Sequence, residues 1–389
     1  MPTILNNQHS VVNDLLMDGV MLIPLPDATR AACGGKAATL AVLVRAGFPV
    51  PAGFVVPYGV TVPPDRVRDA LDRLGGPAVA VRSSAADEDT VGASAAGQYE
   101  SVIGVRGAAE VCDAIAACRA SAHTDRVAGY RRRTGGDTDP PLAVLVQRLV
   151  EADVSGVLFT PEHTGGTTRL EASWGLGGTV VGGAVTPDAY RVGPDGTVDC
   201  RIGRKDVRTD LDPAGHGVAT RTVGAALRTA RALDDTTAAR LAALGNRIAA
   251  RLHGPYDVEW AIAGGTTWIL QARPITAALP PMRAGSTGTP GSPGVVTSTA
   301  RVVHSPADFA RVRPGDIAVC RYTDPAWTPL FAVAAGVVTE TGGTLAHAAI
   351  VAREYQIPAV LGVDGATTRF RDGDLLTVDG TAGTVTRQD

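Results

Sequence analysis

Apolar residues recur at helical spacing in "KAATLAVLVRAG", from Lys36, and Gly47 stands where a left-handed cap would end that helix. Short apolar runs follow: "AVAVRSS" around Arg82, "LAVLVQRLV" around Gln147 and "SGVLFTP" around Val157 read as strands. "TTAARLAALGNRIAARL" predicts a further helix. Directly after it, "YDVEWAIA" and "TTWILQAR" flank Gly264-Gly265 as the arms of a hairpin. Past residue 294, the runs "DIAVC", "AGVVTE", "PAVLGV", "DLLTVDG" and "GTVTR" alternate with a helical stretch that opens at His347. Between these blocks lies "AALPPMRAGSTGTPGSPG", residues 277–294, rich in proline, glycine, serine and threonine and without either period. The pattern predicts an α/β chain: an N-terminal domain over 1–276, a flexible linker over 277–294, and a small β/α domain over 295–389 that presents the His347 helix. Fully extended at about 3.1 Å per residue, such a linker spans up to roughly 55 Å, enough for the second domain to rotate.

Composition narrows the class without naming it. The chain has 389 residues, 45% hydrophobic and 19% charged, with a formal net charge of −3. That balance is globular and gives no electrostatic reason to expect nucleic acid or an anionic membrane as partner. Five scattered cysteines form no C-x-x-C pair and fit free thiols in a reducing compartment. No apolar run reaches the roughly 18 residues of a membrane span, and no secretory signal pattern opens the chain. The expectation is a cytoplasmic protein.

Common nucleotide motifs fail. "CGGKAAT" has Arg30 at the first Walker glycine and Ala37 where Ser or Thr would meet magnesium. "GLGGTVVGG" has Val180 at the last glycine of the dinucleotide fingerprint, and no G-x-S-x-G elbow is present. The hairpin is more informative. Asp257, Glu259, Gln271 and Arg273 lie on its two arms; carboxylates and a carboxamide are hard ligands for magnesium beside phosphates, and a guanidinium grips phosphate. The same residues also suit a solvated hairpin face. A metal role requires Glu259 and Gln271 on one face, which predicts an odd-numbered turn such as Gly264 to Thr266; a two-residue turn would set Gln271 beside Val258.

"VRSSAADEDTVGASAAGQYES" places Arg82 at a strand end and then a run of small residues, the composition either of a flap closing over phosphates or of an ordinary loop. Lys36 opens its helix as a phosphate ligand or as a surface lysine. His347 follows Gly342 and Gly343 in the first turn of a helix. There the dipole favours the neutral, nucleophilic imidazole, and the Gly343-Thr344 amides could steady a phosphate. A lone histidine in that position is also often a plain core residue.

In order along the chain, "GGKAATLAVLVRAGFPVPAGFVV", "VAVRSSAADEDTVGASAAGQYES", "VLVQRLVEADVSGVLFTP", "EASWGLGGTVVGGAVTPDAY", "YDVEWAI", "WILQARPIT", "TDPAWTPLF" and "TETGGTLAHAAIVAREYQIPAV" resemble the phosphohistidine-swivelling family of phosphoenolpyruvate synthase, pyruvate phosphate dikinase and rifampin phosphotransferase. The resemblance implies an ATP-grasp-like nucleotide domain and a swivelling phosphohistidine domain. It implies ATP and Mg2+ as ligands, AMP and phosphate as products, and transfer of the β-phosphoryl group through His347 to an acceptor. By position, Lys36 and Arg82 hold phosphates, Gly97 and Ser101 belong to the flap, and Gln147 lies at the adenine end. Glu259 and Gln271 meet metal and phosphate, Arg273 binds phosphate, and Asp257 and Glu171 also match.

The flap reads "AADED" where the family more often has "ATAED". Pyruvate-using relatives also carry a barrel of about 250 residues, whereas 42 residues follow His347 here, and the linker stands where the rifampin enzyme inserts its acceptor domain. The expectation is an AMP-forming phosphotransferase acting on a small-molecule acceptor. Its rivals are a phosphocarrier serving an acceptor subunit on another chain and a nucleotide-binding protein without transfer.

Overall fold

The structure, a computed structural model, describes residues 22–86, 99–124, 142–163, 165–275 and 287–388. They fall into two compact units, the first formed by the described residues up to 149 with 211–218, the second by 150–210 and 219–388.

In the first unit β1 (Ile23–Pro24), β2 (Gly53–Val56), β3 (Val79–Ala85), β4 (Ser101–Val105) and β5 (Leu142–Arg148) form a five-stranded sheet ordered β1-β2-β5-β3-β4. Alternate residues of its strands, Val79, Val81, Val144, Val146, Phe54 and Val56, are buried against α2 (Pro64–Arg73) and α3 (Gly107–Ala120). The expected Lys36 helix is α1 (Arg30–Arg45), and Gly47 follows it at φ +77° as predicted. α1 is broken at Gly34, whose φ of +81° and ψ of 175° are non-helical. A Cβ there would lie 2.2 Å from the Ser84 carbonyl oxygen, so only glycine admits this approach to β3.

The second unit opens with β6 (Val154–Phe159), β7 (Thr168–Trp174), β8 (Asp188–Val192) and β9 (Val198–Arg201). A two-stranded ribbon, β10 (Val207–Leu211) and β11 (Val218–Thr222), precedes α4 (Asp235–Leu252) and the hairpin β12 (Tyr256–Ala263) and β13 (Thr266–Pro274). Six of these strands make an antiparallel sheet ordered β13-β12-β6-β7-β8-β9. Asp234 caps α4 by accepting from Thr237 N–H at 2.6 Å. Ala238, Leu241, Ala242, Gly245 and Ile248 then form its buried stripe. A Cβ at Gly245 would meet Leu158 Cδ1 at 2.6 Å, so the helix lies close against the face carrying Leu158, Leu170, Val258 and Ala272. The opposite face is therefore the one available for chemistry.

A seven-stranded sheet, β14 (Thr289–Ser292), β15 (Val295–Val303), β16 (Ile317–Cys320), β17 (Gly336–Thr339), β18 (Ala359–Leu361), β19 (Leu375–Asp379) and β20 (Thr384–Arg387), completes the unit in the order β14-β18-β17-β16-β15-β19-β20. β15 to β18 pair in parallel and are apolar on both faces, as parallel strands covered on two sides must be. α5 (His347–Tyr355) crosses between β17 and β18 and buries Ala348, Ala349, Val351 and Ala352. This is the β/α presentation of His347 expected. The expected linker needs correcting at its end: Thr289–Ser292 pairs with Ala359–Leu361, its prolines and glycines accommodated at an irregular sheet edge. Residues 276–286 lie outside the described residues.

Deep in the second unit Lys205 and Asp188, both fully buried, form an ion pair. Asp188 also accepts from Gly203 N–H at 2.8 Å and Ala232 N–H at 2.7 Å, tying β8 to the segment before α4. Removing one partner strands the other charge. Lys205→Met is expected to cost about 3–5 kcal/mol in thermal unfolding, and the double variant Lys205→Met with Asp188→Asn less than the sum of the two single changes.

Candidate functional site

Within the first unit, Lys36 sits just past the Gly34 break. Its buried ammonium donates to the Ser83 carbonyl at 2.7 Å, while Ala37 N–H donates to Ser84 Oγ at 3.1 Å. Arg82, half-buried on β3, pairs across the sheet with Ser101 and Leu145, and Ala80 pairs with Gln147. Directly paired residues, and residues two apart on one strand, share a face. Arg82, Ser101 and Gln147 therefore present on one side of the sheet, with Val81 and Val146 in the core behind. The buried Gln147 amide donates to Pro51 O at 3.0 Å. Gly97 and the flap before residue 99 lie outside the described residues.

Within the second unit the hairpin corrects one expectation and keeps its consequence. Ala263 pairs with Thr266, so the turn is the two-residue Gly264-Gly265 pair, at φ +53° and +77°, and not the three-residue turn predicted. Gln271 nonetheless opposes Glu259, because the register shifts after Glu259/Trp260 and Leu270 is left over as a bulge. The bulge supplies the odd residue that the turn does not.

From that register the face can be read strand by strand. Gln271, Glu259, Val157 and Glu171 form one cross-strand row; Arg273, Asp257, Phe159 and Arg169 form the next, on the same side. Arg273 Nε donates to Asp257 Oδ2 at 2.7 Å, both largely buried. Burial nevertheless holds the Asp257 carboxyl above its ordinary range, only partly offset by Arg273. The direct pairing of Glu259 with Gln271, Cβ atoms about 4.5–5.5 Å apart in such a pair, fits a magnesium ion that takes its other ligands from phosphates and water. Among the described residues no three His, Cys, Asp or Glu side chains converge as a metal cage, and none is needed for that mode of binding.

The segment before His347 meets this same face. Thr344 N–H donates to Glu171 Oε1 at 2.7 Å and Leu345 N–H to Oε2 at 3.2 Å. The Leu345 side chain is buried with Val157, Phe159 and Val180. Thr341 Oγ1 donates to Gly183 O at 2.6 Å and Gly342 N–H to Val185 O at 3.0 Å. The amide at 344, expected to steady a phosphate, is thus given to a carboxylate. Burial pushes the Glu171 carboxyl up to about 7, against the two amide donors and the charges of Arg353 and Arg201. Arg353 on α5 donates to Thr344 O at 3.0 Å and Gly291 O at 2.6 Å; its own burial brings it down to about 10, countered by Asp257 and Glu171.

His347 is the first residue of α5 and is buried. Its Nδ1 lies 3.0 Å from Thr323 Oγ1, and the Phe331 ring meets the imidazole edge-on at 6.2 Å. Both partners belong to "TDPAWTPLF", so that motif builds the wall of the histidine pocket. Thr323, Leu345 and Arg353 are site residues that reading the sequence did not single out. All three lie within marked motifs, Thr323 opening "TDPAWTPLF" and Leu345 and Arg353 flanking His347 in "TETGGTLAHAAIVAREYQIPAV".

A carboxylate, a carboxamide and a guanidinium thus share one sheet face, on which the segment leading into the His347 helix is seated. Residues 64–285 match the family model described as pyruvate phosphate dikinase, AMP/ATP-binding domain, and residues 312–383 match the PEP-utilising enzyme, mobile domain. The first match covers more than half of the chain, which belongs to the phosphoenolpyruvate synthase and pyruvate phosphate dikinase family of ATP-dependent phosphotransferases.

A probable phosphoenolpyruvate synthase of Methanothermobacter thermautotrophicus is 37% identical over 320 residues, covering 79% of this chain and 46% of that one. Phosphoenolpyruvate synthases of Pyrococcus furiosus (37% over 332 residues; 79% and 40%) and Deinococcus radiodurans (36% over 345 residues; 81% and 44%) are similar too. The chain spans less than half the length of these curated relatives. Among solved structures, a D-alanine–D-alanine ligase from Coxiella burnetii is 13% identical over 62% of this chain and 48% of that one, with a TM-score of 0.30, a likeness too slight to bear on function. No helix among the described residues is long and apolar enough to cross a membrane.

Arg353→Met removes the cation between Glu171 and Asp257. It is expected to cost about 3–5 kcal/mol at pH 8.5 and clearly less at pH 5.5, because Glu171 takes up a proton as pH falls through about 7 and the lost attraction exists only for its ionised form. Calorimetry at the two pH values reads the difference.

Proposed function

We propose that the chain is an ATP-dependent, AMP-forming phosphotransferase in which His347 carries the phosphoryl group from nucleotide to acceptor. One observation supports this above the others: the segment before His347 is seated, through Glu171 and Leu345, on the sheet face that presents Glu259, Gln271, Asp257 and Arg273.

Within the first unit, Lys36 and Arg82 are the proposed phosphate ligands, with Ser101 and Gln147 on the same sheet face as Arg82; Gly97, proposed with them, lies outside the described residues. Within the second unit, Glu259 and Gln271 are the proposed ligands of phosphate and magnesium, and Arg273, oriented by Asp257, grips phosphate through its planar fork. Magnesium, when bound, neutralises charge on the phosphate oxygens during transfer.

This reading requires the tautomer in which Nδ1–H of His347 donates to Thr323 Oγ1, 3.0 Å away, and the Nε2 lone pair is the nucleophile. Nε2 attacks the β-phosphorus. The α–β bridge breaks and releases AMP, and the β–γ bridge breaks to water and releases phosphate. The balance is protein, ATP and water going to phospho-His347, AMP and phosphate. The hydroxyl or carboxylate oxygen of a small acceptor then attacks the same phosphorus, the N–P bond breaks, and Nε2 recovers its lone pair. The family's relatives are named as synthases of phosphoenolpyruvate, a small phosphorylated acid, which agrees with an acceptor of this class.

Protein incubated with magnesium and ATP is expected to take label from the β position and none from the γ position, with AMP formed in step. His347→Ala abolishes the label while leaving nucleotide affinity within about twofold. γ-Label on the protein, or ADP as the sole product, contradicts the reading. Thr323→Val, which removes the tautomer-fixing oxygen, is expected to slow labelling by about 10- to 100-fold in single-turnover quench experiments, with the ATP concentration for half-maximal rate unchanged.

A further inference from the structure

Glu171 stands apart from the phosphate ligands although it shares their row. Both its oxygens are used, one on Thr344 N–H at 2.7 Å and one on Leu345 N–H at 3.2 Å, three and two residues ahead of the nucleophile. The carboxylate is buried, and its fit to the segment is close. A Cβ at Gly343 would lie 2.3 Å from each of its oxygens. Gly343 is not among the glycines with positive φ, so its backbone would accept alanine, and the Glu171 carboxylate is what a Cβ there would meet first.

Around this contact the segment is held at the Thr344 carbonyl by Arg353, at Gly342 by Val185 O, and at Leu345 by the Val157–Phe159–Val180 cluster. Glu171 is the one acidic group in that set, and it takes the two amides that fix the direction in which the chain enters α5. A buried carboxylate engaged on both oxygens by backbone amides is poorly placed to meet a nucleotide or metal and well placed to set the position of whatever follows the amides.

We propose that Glu171 is a positioning residue that docks the His347 segment onto the phosphate-binding face, so that it governs loading of His347 with phosphoryl and not the affinity for nucleotide. This rests on the reading of His347 given above. Hydrogen exchange and labelling test it on the whole chain.

In Glu171→Ala the amides of Thr344 and Leu345 are expected to lose about tenfold or more of their protection, and β-label is expected to reach His347 about tenfold or more slowly, with ATP affinity unchanged. Glu171→Gln keeps an oxygen for Thr344 N–H and is expected to stay within about threefold of the parent on both measures. Gly343→Ala, which displaces the carboxylate by a different route, is expected to match Glu171→Ala, and the double variant to be no worse than either single one. Equal labelling in Glu171→Ala and the parent overturns the proposal, as does a matching loss of ATP affinity or a Glu171→Gln variant as slow as Glu171→Ala. If the parent itself forms no phospho-His347, the function proposed above falls; unchanged amide protection in Glu171→Ala separately removes the docking contact.

Discussion

Much of this chain's design turns on two hydrogen bonds, from Thr344 and Leu345 to Glu171, that join the segment leading into the His347 helix to the sheet face carrying Glu259, Gln271, Asp257 and Arg273. Burying a carboxylate is costly, and the surrounding residues follow from offsetting that cost. Position 343 is glycine because a Cβ would strike the carboxylate oxygens. Arg353 is an arginine in a buried position because Glu171 and Asp257 both lie within range of its charge, while its guanidinium also satisfies two carbonyls. Leu345 turns inward to fill the apolar gap between the rows of charged residues.

The second constraint is the parity of the sheet. An antiparallel sheet gives each strand one face to bury and one to use. Here α4 occupies the face of Leu158, Leu170 and Val258, and everything that can hold phosphate or metal is on the other. A single bulged residue, Leu270, keeps Gln271 on the working side despite a turn of the wrong parity. The apolar bed beneath the functional groups, Val157 and Phe159, then serves as the landing surface for the segment ahead of His347. The candidate phosphate and metal ligands and the docking surface are thus one face.

Much of this was legible in the residues, for identifiable reasons. The strands around Arg82, Gln147 and Val157, the helix before the hairpin and the alternation after residue 294 each carry a clean apolar period, and each forms as read. α3 does not announce itself, since alanines on both of its faces blur the amphipathic stripe of Val111, Ala114, Ile115 and Cys118. β14 is hidden because "TPGS" has linker composition and pairs only at a sheet edge. In the site, Asp257, Glu259, Gln271 and Arg273 were readable as candidates because polar residues at period-two spacing share one face, and the family resemblance, not the spacing, favoured phosphate and metal over a plain solvated face. The docking contacts were not. Glu171 and Leu345 act through residues more than 170 positions distant, and a local pattern carries no trace of such a partner. The turn length was misjudged for a related reason: a bulge is a property of two strands together, and period two along one strand does not show it.

Phosphorus NMR of the protein after reaction with magnesium and ATP, with histidine labelled by nitrogen-15, tests the central claim most directly. The geometry predicts one phosphohistidine resonance, coupled to Nε2 of His347, because Thr323 holds Nδ1. A phosphoryl group on Nδ1, on another histidine, or on no histidine at all would contradict the account.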